Sequence, residues 1–135
     1  MTSLAINADQ ATTVRDVWLG ILEANIVRDR PESGLMVDET SATPLGILCV
    51  VAYQFPLWPA SNPDHTPRKP TELEFPPFSL CAAIGLRCAR RDEDEAYGGD
   101  IDWINAMSDW GVDDRTIGRV IEDVLRNRSE RGGAA

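Results

Sequence analysis

The sequence has no apolar run near the roughly 18 residues that a membrane span requires, one histidine, one lysine and no closely spaced cysteine pair. Each shortage excludes something. The opening MTSLAINADQ has neither a basic region nor a long apolar core, so export by a signal peptide is not expected. A Ser-His-Asp or Cys-His catalytic set would have to use His65, and no G-x-S-x-G turn accompanies it. Cys49, Cys81 and Cys88 are odd in number and widely spaced, which makes a poor disulfide framework and a poor zinc site. They read as small buried hydrophobes in a reducing compartment. No H-E-x-x-H is present, and Gly98-Gly99 is not followed by the G-K-[ST] of a phosphate loop. The expectation is a protein without metal, cofactor or catalytic machinery.

Acidic residues outnumber basic ones by 22 to 13, giving a formal net charge of −9. Binding to duplex DNA depends on clustered Lys and Arg to neutralise phosphates, so direct duplex binding at physiological salt is not expected. The last two helical segments, Trp103 to Leu125, have the outline of a helix-turn-helix, but a recognition helix wants a basic domain around it. Helical-hairpin packing is the simpler reading.

The chain has 135 residues, a length suited to one domain. Residues 1–8 read as a flexible lead, 9–127 as a single helical domain and 128–135 as a disordered tail. Val14, Val17, Trp18, Ile21, Leu22 and Ile26 recur at three- and four-residue spacing, predicting an amphipathic helix over roughly 10–27. Thr43-Pro44 is a helix start, a capping hydroxyl followed by proline at the first helical position. The apolar stretch 45–53 has no decisive period. The Thr-Pro start and Gly46 favour helix, while Val50 and Val51 favour strand. Residues 78–89 read as a short buried helix after Pro77, 90–102 as a polar loop, and 101–110 as a helix ending at Gly111. Asp113 or Asp114 then caps the clearest amphipathic helix, with Ile117, Val120, Ile121, Val124 and Leu125 on one face. The expected fold is mainly α: a single compact domain of four to five short helices, a long proline-rich loop, and room for a small β element near 35–51.

Two features stand out as candidate sites. Residues 55–77 hold seven of the nine prolines. Phe55, Leu57, Trp58 and Phe75 at the ends of that loop are apolar anchors of the kind that dominate interfaces, and a loop this long often carries function. The alternative is that they cap the domain's own core. The second feature is the acidic run Asp92, Glu93, Asp94 and Glu95. Counted from Asp92, the positions where an EF-hand loop needs Gly and Glu are Tyr97 and Trp103, so the run reads as a solvated or partner-facing patch rather than a calcium site.

Three blocks, Pro44-Leu45-Gly46-Ile47-Leu48-Cys49, then Phe75-Pro76-Pro77 running to Ile84-Gly85-Leu86, then Met107-Ser108-Asp109 with Gly111, Thr116-Ile117 and Val120-Ile121-Glu122-Asp123, follow one another over roughly 14–125. In that order they resemble a group of small uncharacterised proteins of actinobacteria and their phages and prophages. The chain departs from the group's pattern at Pro44, where the group tends to have Cys, and at Ser108, where it tends to have Asn. The resemblance implies a phage or prophage setting, in the cytoplasm of a host cell or in a virion, and implies no chemistry. The function expected is that of a non-enzymatic binding or structural protein acting through contacts with a host or virion protein, either as a virion component or as an inhibitor of a host system, with self-association open. The alternative is a small-ligand binder or enzyme whose pocket lies between the proline-rich loop and the last helical hairpin, lined by Trp58, Trp103, Trp110 and Asp109.

Overall fold

The computed structural model describes residues 8–26, 29–31, 34–38, 40–55 and 58–134. Most of the expected flexible lead, together with Leu57, lies outside the described residues. Among the described residues five α-helices make up the body: α1 (Ala8–Ala24), α2 (Pro44–Gln54), α3 (Phe78–Ala83), α4 (Asp100–Asp109) and α5 (Asp114–Ala134). Two antiparallel hairpins accompany them, β1 (Met36–Asp38) with β2 (Ser41–Ala42), and β3 (Ala89–Arg91) with β4 (Glu95–Tyr97). The mainly helical single domain expected from the sequence is the observed one, and the small β element near residue 36 is present.

One face of α1 forms the centre of the core. Val14, Trp18 and Leu22, each four residues apart, are fully buried and pack against α2 and α5. Val17 is 38% exposed and is not the core residue that its spacing suggested. It lies one residue, or roughly 100°, from Trp18 around the helix, which turns it off the buried stripe. The helix ends at Ala24 rather than near 27, with Asn25 at a φ of +52°. Asparagine tolerates that left-handed conformation better than most side chains do.

Helix α2 starts as the sequence indicates. The Thr43 hydroxyl accepts from the Gly46 N–H at 3.1 Å and Pro44 opens the first turn. The stretch that periodicity left ambiguous is helical, and it is buried nearly all round, including Leu45, Leu48, Cys49, Val51 and Ala52. Gly46 is required there because a Cβ would fall inside van der Waals distance of the Leu35 backbone carbonyl.

Three expectations change. The helix predicted over 78–89 stops at Ala83, because Gly85 at φ +100° closes it with the Leu86 N–H donating to the Cys81 carbonyl at 3.0 Å. The polar loop predicted over 90–102 is largely the β3–β4 hairpin, with Ala89 paired to Tyr97 and Arg91 to Glu95. Strand β3 is exposed at every position, so it lacks the alternation that marks a strand in sequence. The tail predicted from residue 128 is instead the end of α5, which runs to Ala134. Arg128 ties that end to the body: its guanidinium meets the Asp100 carboxylate at 2.5 and 2.8 Å.

The three cysteines are free. Cys49 and Cys81 are buried and Cys88 is half-buried. Burial pushes the Cys49 thiol pKa up. The neighbouring Cys88 sulfur, together with burial, raises that of Cys81.

Candidate functional site

The proline-rich loop does not stand away from the body. It leaves α2, turns at Asn62–His65 and returns, with Asn62 N–H donating to the Thr66 carbonyl at 2.9 Å and Arg68 N–H to the Ala60 carbonyl at 3.2 Å. A short 3-10 turn follows at Pro70–Glu72, and Leu73 is buried. Trp58 holds the two limbs together. Its indole N–H donates to the Arg68 carbonyl at 2.7 Å, and its ring meets Tyr53 of α2 edge to face, centroids 5.6 Å apart. Phe55 and Trp58 both pack against the domain's own core. The loop is thus anchored inward at these two residues. Trp58→Ala is expected to cost about 3 kcal/mol, somewhat less than deletion of a fully buried aromatic, read as the shift in a urea unfolding midpoint. A loss under about 1 kcal/mol, the usual scale of a surface change, would contradict that anchoring.

Phe75 behaves differently. It faces a cleft of about 370 Å³ between the returning loop and the turn of the β3–β4 hairpin. Pro59 to Pro63 and Arg68 of the loop, Leu73 to Phe75 and Pro77 after it, and Glu93, Asp94 and Glu95 of the hairpin turn line the cleft. The structure therefore brings Phe75 of the loop together with three of the four acidic residues. Asp92 is exposed and outside the cleft.

The hairpin turn is shaped by the neighbouring helix. Glu93 and Asp94 take left-handed φ values of +58° and +61°. Helix α3 begins after Pro77, which has no side-chain oxygen to cap it. The Asp94 carboxylate supplies the cap from 15 residues downstream, accepting the Ser79 N–H at 3.2 Å and the Ser79 hydroxyl at 2.6 Å. Arg90 lies 3.4 Å from the same carboxylate. Asp94 is therefore committed to holding the turn, while Glu93 and Glu95 line the cleft on either side of it.

Glu74, missed in the sequence, adds a fourth carboxylate to the lining, against Arg68, the one cation among the described lining residues. The Arg68 guanidinium donates to the Glu72 carbonyl at 3.1 Å. The Arg91 guanidinium lies 5.4 Å from the Phe75 ring centroid and 5.8 Å from that of Tyr97. This chain's own arginine thus already makes the cation–π contact that the Phe75 ring offers. A lining that combines carboxylates with Leu73, Phe75 and prolines suits a cationic group carried on an aliphatic stem.

The pocket expected from Trp58, Trp103, Trp110 and Asp109 is not this cleft, which none of the four lines. The Trp103 indole N–H donates to Asp100 at 2.8 Å, and Trp110 is 79% exposed at the end of α4. His65 sits exposed in the loop turn. Among the described residues no group of three or more His, Cys, Asp or Glu side chains is placed to hold a metal ion. No described helix is long and apolar enough to cross a membrane.

No family model, curated protein or solved structure matches the chain.

Proposed function

We propose that this chain is a non-enzymatic binding protein of phage type, a virion component or an inhibitor of a host system, and that its acidic cleft takes a basic segment of a partner protein. The single observation that supports this reading most is the lining of the cleft. Three carboxylates from two separate segments, Glu74, Glu93 and Glu95, line it together with Phe75 and prolines, with Arg68 as the one cation among the described lining residues, while the fourth carboxylate, Asp94, is held by Ser79 and Arg90. A Lys or Arg side chain can lay its stem on the apolar part of such a lining and leave its charged head among the carboxylates. Complementary charge of this kind steers encounter and selects partners more than it adds affinity. The phage setting is supported by the order of the three sequence blocks. Direct duplex DNA binding is not part of this reading, given the net charge of −9.

The test is an anisotropy titration with a labelled Arg/Lys-rich peptide against the wild type and a Glu74→Lys/Glu93→Lys double variant. Both side chains are exposed, so the fold is expected to tolerate the change. The double variant is expected to bind at least about tenfold more weakly, and wild-type binding is expected to weaken as salt shortens the Debye length below about 8 Å. Equal binding by both proteins would remove the cleft from the reading. Capture from infected or native cells, run side by side with the two proteins, then identifies partners that depend on those carboxylates.

A further inference from the structure

On a different part of the surface the sign of the charge reverses. A cleft of about 240 Å³ lies where α1, the turn after α3 and the end of α5 meet. Arg15, Arg87 and Arg128 converge on it from those three segments, with Ser129 beside them and Ile84 and Leu125 as the apolar base. Among the described residues no carboxylate lines it.

The three guanidiniums are not equally committed. Arg15 has a loose pairing with Asp16 at 3.4 Å, both partly exposed. Arg128 spends the two terminal nitrogens of its fork on Asp100 and turns a further Nη1–H towards the Gly85 carbonyl at 3.5 Å. Its Nε–H and the second Nη2–H, the side edge of the guanidinium, have no acceptor among the described residues. Asp100 thus holds Arg128 in a fixed orientation and leaves one bidentate edge free. The Arg87 guanidinium makes no hydrogen bond or ion pair with a described residue; only its backbone N–H is used, donating to Asp100 at 2.7 Å. Arg87 therefore supplies a positive charge that no described residue pairs with.

We infer that this cleft binds a phosphoryl anion, either inorganic phosphate or the phosphomonoester end of a small molecule. Planar guanidinium forks match phosphate oxygens in bidentate fashion. Two forks, a hydroxyl and the further guanidinium of Arg15 offer more donors than the two oxygens of a carboxylate can accept from, and they match the three or four oxygens of a phosphoryl group. The inference is independent of the acidic cleft, which shares none of these residues.

The experiment is an amide-shift NMR titration of the full chain at constant ionic strength, with inorganic phosphate, glycerol phosphate and acetate as separate probes. Saturable shifts at Gly85, Arg87 and Ser129 are expected for the two phosphoryl probes, with a Kd at or below about 1 mM, and tighter binding of one of them identifies the source of the anion. Arg87→Ala, whose side chain has no internal bond to lose, is expected to weaken this binding at least about tenfold, and Arg15→Ala to weaken it in the same direction. The proposal is overturned if phosphate does not saturate by about 10 mM, if acetate binds as well as phosphate, or if Arg87→Ala binds as the wild type does.

Discussion

Replacing Asp100 by alanine is expected to lower the stability of the domain by about 3 kcal/mol, a large part of the margin by which a domain of this size stays folded. Four donors converge on this one carboxylate. Arg128 approaches at 2.5 and 2.8 Å, the Arg87 backbone N–H at 2.7 Å and the Trp103 indole N–H at 2.8 Å. The Asp100 side chain is 4% exposed and that of Arg128 is 25% exposed. Removing the acid strands the indole and amide donors and leaves a mostly buried guanidinium without its counter-charge, which costs more than the intact pair contributes. Because Arg128 keeps a quarter of its surface in water, the loss falls at the lower end of that range. A double-mutant cycle with Arg128→Met checks the assignment. Urea midpoints are expected to show that the second change costs much less in the Asp100→Ala background than alone. Strict additivity would mean that the two residues act separately.

The same carboxylate sets an acid limit on stability. Burial, the largest single effect on Asp100, raises its pKa, but the Arg128 fork, the Arg87 N–H and the Trp103 N–H together bring it below the usual aspartate value. A group with a depressed folded pKa contributes stability that is present above its unfolded value, near 3.9, and is lost as pH falls through the folded value. The stability of the wild type is therefore expected to be insensitive to this group across neutral pH and to drop in the acid limb. Asp100→Asn flattens that limb, which a series of unfolding curves below about pH 4 measures.

Local patterns in the sequence carried much of the fold. Thr43-Pro44 marks the start of α2, Ile117, Ile121 and Leu125 of the 3-1-3-1 set are the buried stripe of α5 with Val120 and Val124 only half-buried, and Asp113 caps α5 by accepting the Thr116 N–H at 3.0 Å. Each of these signals sits within one helical turn of the structure it specifies. The features that were not legible join distant positions. Arg30 crosses to the end of α4, where it donates to the Ser108 carbonyl, to the Ser108 hydroxyl at 2.8 Å and to the Val112 carbonyl at 2.8 Å, satisfying groups at a helix C-terminus 78 residues away. Asp94 caps a helix that starts before it in the chain, and Asp100 waits for Arg128. No spacing rule encodes such pairs. The acidic cleft was half-legible for the same reason. Phe75 and the run from Glu93 were each visible as candidates, but their meeting depends on the β3–β4 hairpin, whose exposed first strand has no hydrophobic period. Phe55 and Trp58 share the composition of a contact arm, and only the path of the loop back to Arg68 turns them inward.

The largest single effect is expected at Trp18. Its ring is fully buried in the middle of α1, between Val14 and Leu22, and its indole N–H donates to the Pro44 carbonyl at 2.8 Å. That carbonyl belongs to the first residue of α2, so one side chain both fills the centre of the core and fixes the start of the neighbouring helix. Trp18→Ala deletes the largest buried ring and leaves a cavity that Val14, Leu22 and the close contact of Gly118 with Leu22 cannot fill by relaxation. A loss of about 4–5 kcal/mol is expected, the upper part of the range for deleting a core aromatic. Trp18→Phe separates packing from hydrogen bonding. It keeps an aromatic ring in the site and removes the N–H, so the loss is expected to fall to about 2 kcal/mol, a smaller cavity plus one lost hydrogen bond. Guanidinium chloride unfolding followed by circular dichroism measures both. If Trp18→Phe proves as damaging as Trp18→Ala, the indole N–H to Pro44, and not the volume of the ring, is what joins α1 to α2.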